Sequence, residues 1–84
     1  MWFAYLLLCK DKSIYTGITN NLGRRILHHH QGKGGRYTRS HKAVELLYSE
    51  QFKTKGEALK REAQIKGWHR EKKLNLIKFG RPNS

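Results

Sequence analysis

The chain has 84 residues, with 18 lysines and arginines against 6 aspartates and glutamates, which gives a net charge of +12 with histidine neutral. This length allows one domain with a small core, and it excludes a multidomain enzyme, a Rossmann cofactor domain and a TIM barrel. Because so large an excess of one charge repels itself, we expect the domain to work beside a polyanion. Nucleic acid is the first candidate and an anionic membrane surface the second.

The single cysteine and the longest apolar run are both typical of a cytoplasmic domain. Cys9 ends the apolar run of residues 3–9, so it is predicted to be a small buried residue in a reducing cytosol. One cysteine forms no intramolecular disulfide and offers no pair for zinc. The run is far shorter than the roughly 20 residues that span a bilayer, and no basic segment precedes it, so neither a signal peptide nor an anchor is predicted.

Hydrophobic patterning predicts the element order ββαβαα. Strands are predicted over residues 2–9, 13–18 and 43–52, and helices over about 21–31, 55–67 and 69–78. The first two strands form an antiparallel hairpin, and Thr54 with Glu57 forms a capping box for the second helix. This order predicts an α/β chain of the α+β type, with one small sheet and helices packed on it. Residues 1–80 form the single domain, and residues 81–84 form a tail.

Glu62 is the acidic residue with the most informative position. No two of the six acidic residues lie within four positions of each other, which argues against a local two-metal carboxylate cluster. On a helical wheel Glu62 falls inside the apolar arc. That arc contains Ala58, Leu59 and Ile65, and the opposite side contains Lys60, Arg61 and Gln64. Since a buried carboxylate needs a partner, Glu62 either pairs with an arginine, for which Arg25 would serve, or binds a metal ion.

Two residues of the first predicted helix lie beside its apolar stripe. Arg25 and His29 are neighbours at i and i+4, whereas Arg24 and His28 face solvent. An arginine held at the edge of a core could bind a phosphate oxygen through two hydrogen bonds, or it could pair with a carboxylate. The three adjacent histidines 28–30 point in three directions, which argues against a zinc site made from them alone.

Two tyrosines and a basic loop complete the candidate residues. Tyr5 and Tyr15 lie on the two hairpin strands and share a face only if the register is even; otherwise they are ordinary strand aromatics. Gly17 is typical of a place where a backbone or a ligand approaches closely. The loop of residues 32–42 combines cations, hydroxyl groups and one tyrosine, a mixture suited to phosphate contacts and base stacking, although a merely solvated loop would look the same. The candidate nucleic-acid contacts are Gly17, Arg24, Lys33, Arg36, Tyr37, Arg39 and Lys66.

These residues together resemble the signature of the GIY-YIG nuclease domain. Ala4-Tyr5 and residues 15–17 (Tyr-Thr-Gly) resemble its paired strand motifs, and Arg25 lies eight residues after that glycine, where the family carries its helical arginine. His29 lies one turn further, where the family often has histidine or tyrosine. Glu62 falls at the position of the family's metal-binding glutamate. The resemblance covers nearly the whole chain and is strongest to short stand-alone bacterial members.

The chain departs from the family pattern at three points. Phe3-Ala4 replaces the Gly-Ile of the first motif, and Thr16 replaces the central isoleucine of the second. Both tyrosines are retained. The family's late asparagine has only an uncertain counterpart in Asn75, whose spacing from Glu62 is not fixed.

The resemblance implies a three-stranded antiparallel sheet flanked by helices, and metal-dependent hydrolysis of phosphodiester bonds. One Mg²⁺ or Mn²⁺ ion on Glu62 would bind the scissile phosphate, and Arg25 would stabilise charge on its oxygens. A tyrosine would deprotonate the attacking water, with Tyr5 preferred as the base and Tyr15 for positioning, or with assistance from His29. A free tyrosine has a pKa near 10, so neighbouring positive charge would have to favour the phenolate.

Two rival functions remain open. One is a DNA- or RNA-binding module on the same fold without useful catalysis, and the other is a small basic RNA-binding or ribosome-associated protein. DNA is expected over RNA as the partner. Since the 84 residues hold no second DNA-binding domain, a protein partner could supply targeting, and a monomer or weak dimer is expected.

Overall fold

A computed structural model of the chain describes residues 1–30 and 43–80, in which the strands and helices follow the predicted order. The strands are β1 (Trp2–Cys9), β2 (Ile14–Thr19) and β3 (Ala43–Phe52), and the helices are α1 (Leu22–His30), α2 (Lys55–Lys66) and α3 (Arg70–Phe79). Every predicted bound lies within one residue of the observed bound. The tail of residues 81–84 and the basic loop of residues 32–42 lie outside the described residues.

The helix ends form where capping side chains and glycines occur in the sequence. The Asn21 side-chain oxygen accepts a hydrogen bond from the Arg24 backbone N–H at 3.1 Å, and so caps α1. The predicted capping box of Thr54 and Glu57 is present at the start of α2. Gly80 ends α3 with a φ of 73°, a left-handed conformation that glycine adopts without steric cost. These local signals explain why the bounds follow so closely from the sequence.

The three strands form one antiparallel sheet in the order β2-β1-β3. β1 is therefore the central strand, and its residues 4–7 are all buried. A strand that is covered on both faces reads as a continuous apolar run rather than an alternating one, which is the pattern of β1. The predicted α+β fold class, hairpin and helix-flanked antiparallel sheet are confirmed.

Each face of the sheet carries its own small core. On one face Tyr5 and Leu7 pack with Leu22 and Ile26 of α1. On the other face Leu6 packs with Ile65 of α2 and Leu76 of α3. α1 therefore covers one face, and α2 and α3 cover the opposite face. Successive side chains of β1 point to opposite faces, so Tyr5 and Leu6 enter different cores.

The helical wheel predicts the burial of some α2 residues correctly and of others wrongly. Ala58 and Ile65 are buried as predicted, but Leu59 is 43% exposed. Arg61, which was predicted to face away from the core, is partly buried and pairs with Glu50 of β3 at 2.8 Å. The buried face of α2 extends toward Arg61 because the Glu50 carboxylate of β3 pairs with it. A helical wheel cannot predict a pairing with another element.

The remaining structural predictions concern Cys9 and membrane insertion. Cys9 is buried and its thiol is free, as predicted, and burial raises the pKa of that thiol. In the described ranges no helix combines the length and apolar character needed to cross a bilayer.

Candidate functional site

The register of the hairpin places Tyr5 and Tyr15 on the same face of the sheet. Tyr5 of β1 lies opposite Gly17 of β2, and Tyr15 is two residues from Gly17 along the same strand. Because side chains alternate along a strand, both tyrosines point toward α1. Their ring centroids are 6.2 Å apart with an interplanar angle of 44°. The even register required for a shared tyrosine face is therefore present.

Gly17 is the residue that lets the two rings approach each other. A Cβ atom added at Gly17 would lie 2.7 Å from the Tyr5 hydroxyl oxygen and 2.9 Å from Cε1 of Tyr15. Contacts this short are not tolerated without movement of a ring or a strand. The predicted close approach at this glycine is thus made by the tyrosine side chains, and Gly17 itself is buried.

Arg25 joins the tyrosines from α1. Its neighbour Ile26 and the first residue Leu22 pack into the Tyr5 core, which fixes the helix above the sheet. The Arg25 Nε–H donates a hydrogen bond to the Tyr5 hydroxyl oxygen at 3.4 Å. Hydrogen bonds to Tyr5 and Tyr15 both help to raise the pKa of Arg25, the Tyr5 bond more strongly. We call these three residues the Tyr5–Tyr15–Arg25 cluster.

Burial dominates the acid–base behaviour of Tyr5. Desolvation raises the pKa of Tyr5 to about 12, although the hydrogen bond from Arg25 acts in the opposite direction. Tyr5 is fully buried, whereas Tyr15 is partly exposed. Tyr15 is therefore the tyrosine that solvent can reach in this conformation, and Tyr5 is the one that holds Arg25.

A polar cavity of about 480 Å³ opens beside the cluster. It is lined by Thr19, Asn20 and Asn21 at the end of β2, and by Arg24 and Arg25 at the start of α1. Arg24 is exposed, as the helical wheel predicted. Two guanidinium groups on one polar wall, with no carboxylate among the lining residues that the structure describes, form a surface suited to an anion.

Glu62 lies on α2, the helix that packs against the opposite face of the sheet. Its side chain is 18% exposed, and its carboxylate pairs with Lys66 one turn further along at 3.5 Å. The inward position is thus as predicted, but the partner is a lysine of the same helix rather than Arg25. The contacts among the described residues join Tyr5, Tyr15 and Arg25 and do not include Glu62.

Lys66 nevertheless connects Glu62 to the tyrosine side of the molecule. It lines an open cleft of about 310 Å³ together with Tyr15 of the edge strand β2. Glu62 is therefore one helical turn from Lys66, which lines the cleft together with Tyr15 of the cluster.

The donor set around Glu62 suits only one kind of metal binding. In the described part of the chain no group of three or more histidine, cysteine, aspartate or glutamate residues could enclose an ion. Mg²⁺ commonly binds proteins through one or two carboxylates and keeps several waters, and a single carboxylate such as Glu62 fits that mode. Glu62 would supply the protein ligand, with water and substrate phosphate completing the coordination.

The other predicted site residues divide into three groups. Lys66 lies at the cleft, and Asn75 is partly buried on α3, beside the core residue Leu76. His29 lies in α1, but its side chain is outside the described residues. The loop residues Lys33, Arg36, Tyr37 and Arg39 are also outside them.

One charged cluster was not predicted from the sequence, and it lies on the sheet face that α2 and α3 cover. The Tyr48 hydroxyl donates to Glu50 at 2.6 Å, and Arg61 holds both Glu50 carboxylate oxygens at 2.8 and 3.0 Å. Arg61 also lies over the Trp68 ring, 5.1 Å from its centroid. The only signal in the sequence is the i, i+2 spacing of Tyr48 and Glu50 on one strand face. We call this the Tyr48–Glu50–Arg61 cluster.

Comparison with known proteins identifies the class of this domain. Residues 1–75 match the family described as the GIY-YIG catalytic domain. The chain therefore belongs to the GIY-YIG family, and its fold is of the nuclease type.

Within that family the chain is similar to small bacterial proteins called UPF0213. It is 47% identical to the UPF0213 protein of Staphylococcus saprophyticus over 78 residues, which cover 93% of this chain and 95% of that protein. The solution NMR structure of a UPF0213 protein from Bacillus halodurans is 40% identical, with a TM-score of 0.59 and coverage of 93% of this chain and 84% of that one. A second NMR structure, of a protein from E. faecalis, is 38% identical with a TM-score of 0.60, and the match covers 90% and 81% of the two chains.

Proposed function

We propose that this protein is a metal-dependent endonuclease that hydrolyses phosphodiester bonds in nucleic acid, with DNA as the expected substrate. The observation that carries the proposal is the Tyr5–Tyr15–Arg25 cluster, in which Arg25 donates a hydrogen bond to the Tyr5 hydroxyl beside a cavity lined by two arginines. Membership of the GIY-YIG family supports the same reaction class. The net charge of +12 supports a polyanionic substrate.

Arg25 is the residue proposed to hold the scissile phosphate. Its guanidinium keeps donors beyond the Nε–H that Tyr5 accepts, and the fork geometry of arginine matches two phosphoryl oxygens. The helix α1 and the contact with Tyr5 orient the group before substrate arrives. A preorganised cation stabilises the charge that develops on the phosphoryl oxygens in the transition state.

A tyrosine is proposed to accept the proton of the attacking water. Exposure favours Tyr15 for direct contact with water, whereas the hydrogen bond to Arg25 favours Tyr5 as the group whose phenolate a cation can stabilise. Tyr5 starts from a pKa of about 12, so its pKa must fall well below that value for it to act near neutral pH. The pH–rate profiles of Tyr5→Phe and Tyr15→Phe separate the two roles, because only loss of the base removes the rise of the cleavage rate with pH that its deprotonation produces.

Glu62 is proposed to supply the protein ligand for one Mg²⁺ or Mn²⁺ ion. When bound, such an ion supplies a Lewis acid for the phosphate and the leaving oxygen. The carboxylate has only Lys66 as a partner among the described residues, at 3.5 Å, and Lys66 is 56% exposed. A long, exposed lysine that pairs so loosely can release the carboxylate at little cost.

The test is a metal-dependent cleavage assay on duplex, single-stranded and branched DNA and RNA. Wild-type protein is expected to cut at least one DNA substrate with Mg²⁺ or Mn²⁺, and Glu62→Gln is expected to lose the activity. Glu71→Gln is the matched control, because Glu71 is exposed at the start of α3. Full activity in Glu62→Gln, or activity that survives complete removal of metal, would contradict the proposal.

The alternative function is a nucleic-acid-binding module on the same fold. The separation of Glu62 from the Tyr5–Tyr15–Arg25 cluster favours it, since the described contacts hold them in different layers. Both functions predict binding that weakens as salt increases. Salt-sensitive binding with no cleavage of any substrate in the panel would select the binding module.

A further inference from the structure

A second cleft, which shares no lining residue with the arginine cavity, lies at the edge strand β2. It has a volume of about 310 Å³ and is lined by Ile14, Tyr15 and Thr16 of β2, Lys66 of α2 and Lys73 of α3. Pockets that hold small ligands occupy about 300–1,000 Å³, so this cleft is at the lower end of that range. Because β2 is the last strand on its side of the described sheet, the cleft runs along an open edge.

The cleft walls are of two chemical kinds. Ile14 and Tyr15 supply an aliphatic side chain and an aromatic ring, and Lys66 and Lys73 supply two ammonium groups. Lys66 pairs with Glu62, but among the described residues the Lys73 ammonium has no acidic partner. Ile14 and Tyr15 are consecutive on β2, so their side chains flank the strand edge from opposite faces. Apolar groups at an open edge beside two cations suit a flat, weakly polar group attached to an anion.

The Thr16 hydroxyl group is a buried polar group at the wall of the cleft. The Thr16 side chain is 3% exposed, and within residues 1–30 and 43–80 its hydroxyl oxygen has no hydrogen-bond partner. Buried hydroxyl groups are almost always paired, so an orphaned one at the wall of a cleft indicates a missing partner.

We infer that the cleft of Ile14, Tyr15, Thr16, Lys66 and Lys73 is a subsite for one nucleotide of the substrate strand, with its base against the open β2 edge at Ile14 and Tyr15 and its phosphate on the two lysines. The inference rests on the proposed function, because Tyr15 belongs to both the cleft and the Tyr5–Tyr15–Arg25 cluster. A nucleotide in the cleft would therefore be next to the bond that is cut. Its base would have to be unpaired, since a base pair is too large for a cleft of about 310 Å³.

Lys73 provides the cleanest test of this subsite. Lys66 contacts Glu62, so its loss would disturb the proposed metal ligand as well. Lys73→Gln removes one cation from the cleft and leaves Glu62 and Arg25 untouched. The matched control is Lys60→Gln, which removes an exposed lysine from α2 outside the cleft.

The experiment is a titration of isotope-labelled protein with a 5′-phosphorylated thymidine dinucleotide, followed by NMR without divalent metal. Backbone amide shifts are expected at residues 14–16 and 66–73. Lys73→Gln is expected to weaken binding about tenfold, the effect of one lost charge-assisted contact, and Lys60→Gln less than about twofold. Inorganic phosphate and a dinucleotide with one abasic sugar are the comparison ligands.

The outcomes separate the subsite from the proposed function. Equal affinity for the abasic and intact dinucleotides, or an unchanged affinity in Lys73→Gln, would overturn the nucleotide subsite and leave the nuclease proposal standing. Shifts at these amides with inorganic phosphate as strong as with the dinucleotide would also overturn it. Dinucleotide binding in the cleft by a protein that cuts no substrate would support the subsite while the endonuclease proposal fails.

Discussion

Each face of the sheet carries a tyrosine in a cluster with an arginine, and the two clusters differ in what satisfies the arginine. In the Tyr48–Glu50–Arg61 cluster the guanidinium holds both oxygens of a carboxylate. In the Tyr5–Tyr15–Arg25 cluster the guanidinium meets neutral hydroxyl groups, and no carboxylate of the described residues pairs with it. An arginine with its charge already compensated stabilises the fold, whereas one held by neutral groups can still bind an anion.

The pKa of Glu50 is consistent with the pairing of its carboxylate with Arg61. Burial alone would raise the pKa of Glu50, but the hydrogen bonds from Arg61 and Tyr48 outweigh it and lower the pKa. Glu50 is therefore ionised and compensated at neutral pH. The charge of Arg61 is therefore compensated within the fold, and Arg25 is the arginine that suits the proposed binding role, although the residue types of the two clusters are nearly the same.

Substitution of the two arginines should give opposite results. Arg25→Gln is expected to reduce the cleavage rate by about 10²–10³-fold, the usual cost of removing a preorganised group that stabilises transition-state charge. Its effect on the free energy of unfolding should be within about 1 kcal/mol, because its hydrogen bond to Tyr5 is long, at 3.4 Å. Single-turnover cleavage and urea denaturation measure the two effects.

Arg61→Gln is the matched control for Arg25→Gln. It leaves Glu50 without its cation, and loss of a buried partner costs about 3–5 kcal/mol. The Arg61 and Glu50 side chains are 22% and 20% exposed, so solvent screening reduces the expected loss to about 2 kcal/mol. Cleavage by the folded fraction should remain at the wild-type rate. If both variants lost stability equally and activity only followed stability, the division between the clusters would be wrong.

Gly17→Ala tests whether the packing of Tyr5 against Tyr15 requires a residue without a side chain at position 17. The added methyl group would lie 2.7 Å from the Tyr5 hydroxyl oxygen, so overpacking is expected to destabilise the fold by about 1–3 kcal/mol. Displacement of Tyr5 should also weaken the hydrogen bond to Arg25 and lower the cleavage rate.

Gly56→Ala is the control for that substitution. Gly56 lies in the first turn of α2 with nothing within 4 Å of an added Cβ atom. Alanine there is expected to stabilise the protein by about 0.5–1 kcal/mol through helix propensity. Urea denaturation of both variants should give changes of opposite sign, and a neutral or stabilising Gly17→Ala would show that the rings are not packed as described.

The two clusters also explain which features were predictable from the sequence. Element bounds depend on local signals such as Asn21, Thr54 and Gly80, and these signals were sufficient. The register that places Tyr5 opposite Gly17 depends on how two strands pair, so the sequence could state only the condition under which the tyrosines would meet. The pairing of Arg61 with Glu50 joins residues eleven positions apart on different elements, and a wheel drawn for α2 alone assigned Arg61 to solvent.

The candidate site shows the same limit. Arg25 could be placed beside a core from the spacing of α1, because an amphipathic helix fixes the direction of its side chains. Lys73 could not be distinguished from the other lysines of the chain, since its position at the cleft depends on how α3 packs beside β2. Charge composition predicts a polyanionic partner, but only tertiary structure selects which cations face one another.

Both clusters should lose stability at alkaline pH through the phenols of Tyr5 and Tyr48. The pKa of Tyr5 and that of Tyr48 are each raised to about 12 by burial. A phenol whose folded pKa exceeds its unfolded value near 10 contributes stability that is complete below pH 10 and is lost as pH rises toward 12. Thermal unfolding temperature is therefore expected to fall between about pH 10 and pH 12, and Tyr5→Phe or Tyr48→Phe should each reduce that fall.

The smallest expected effect is the change in the pKa of each phenol when its charged neighbour is removed. The Arg25 hydrogen bond lowers the pKa of Tyr5, so Arg25→Gln should raise it further. The Glu50 hydrogen bond raises the pKa of Tyr48, so Glu50→Gln should lower it. Near-ultraviolet absorbance of the phenolate, with the Tyr5→Phe and Tyr48→Phe proteins used to assign each transition, measures both shifts. Shifts of the same sign would mean that the charge of the neighbour does not distinguish the clusters. Shifts of opposite sign would show that a cation stabilises the Tyr5 phenolate on the α1 face, whereas a carboxylate disfavours the Tyr48 phenolate on the other face.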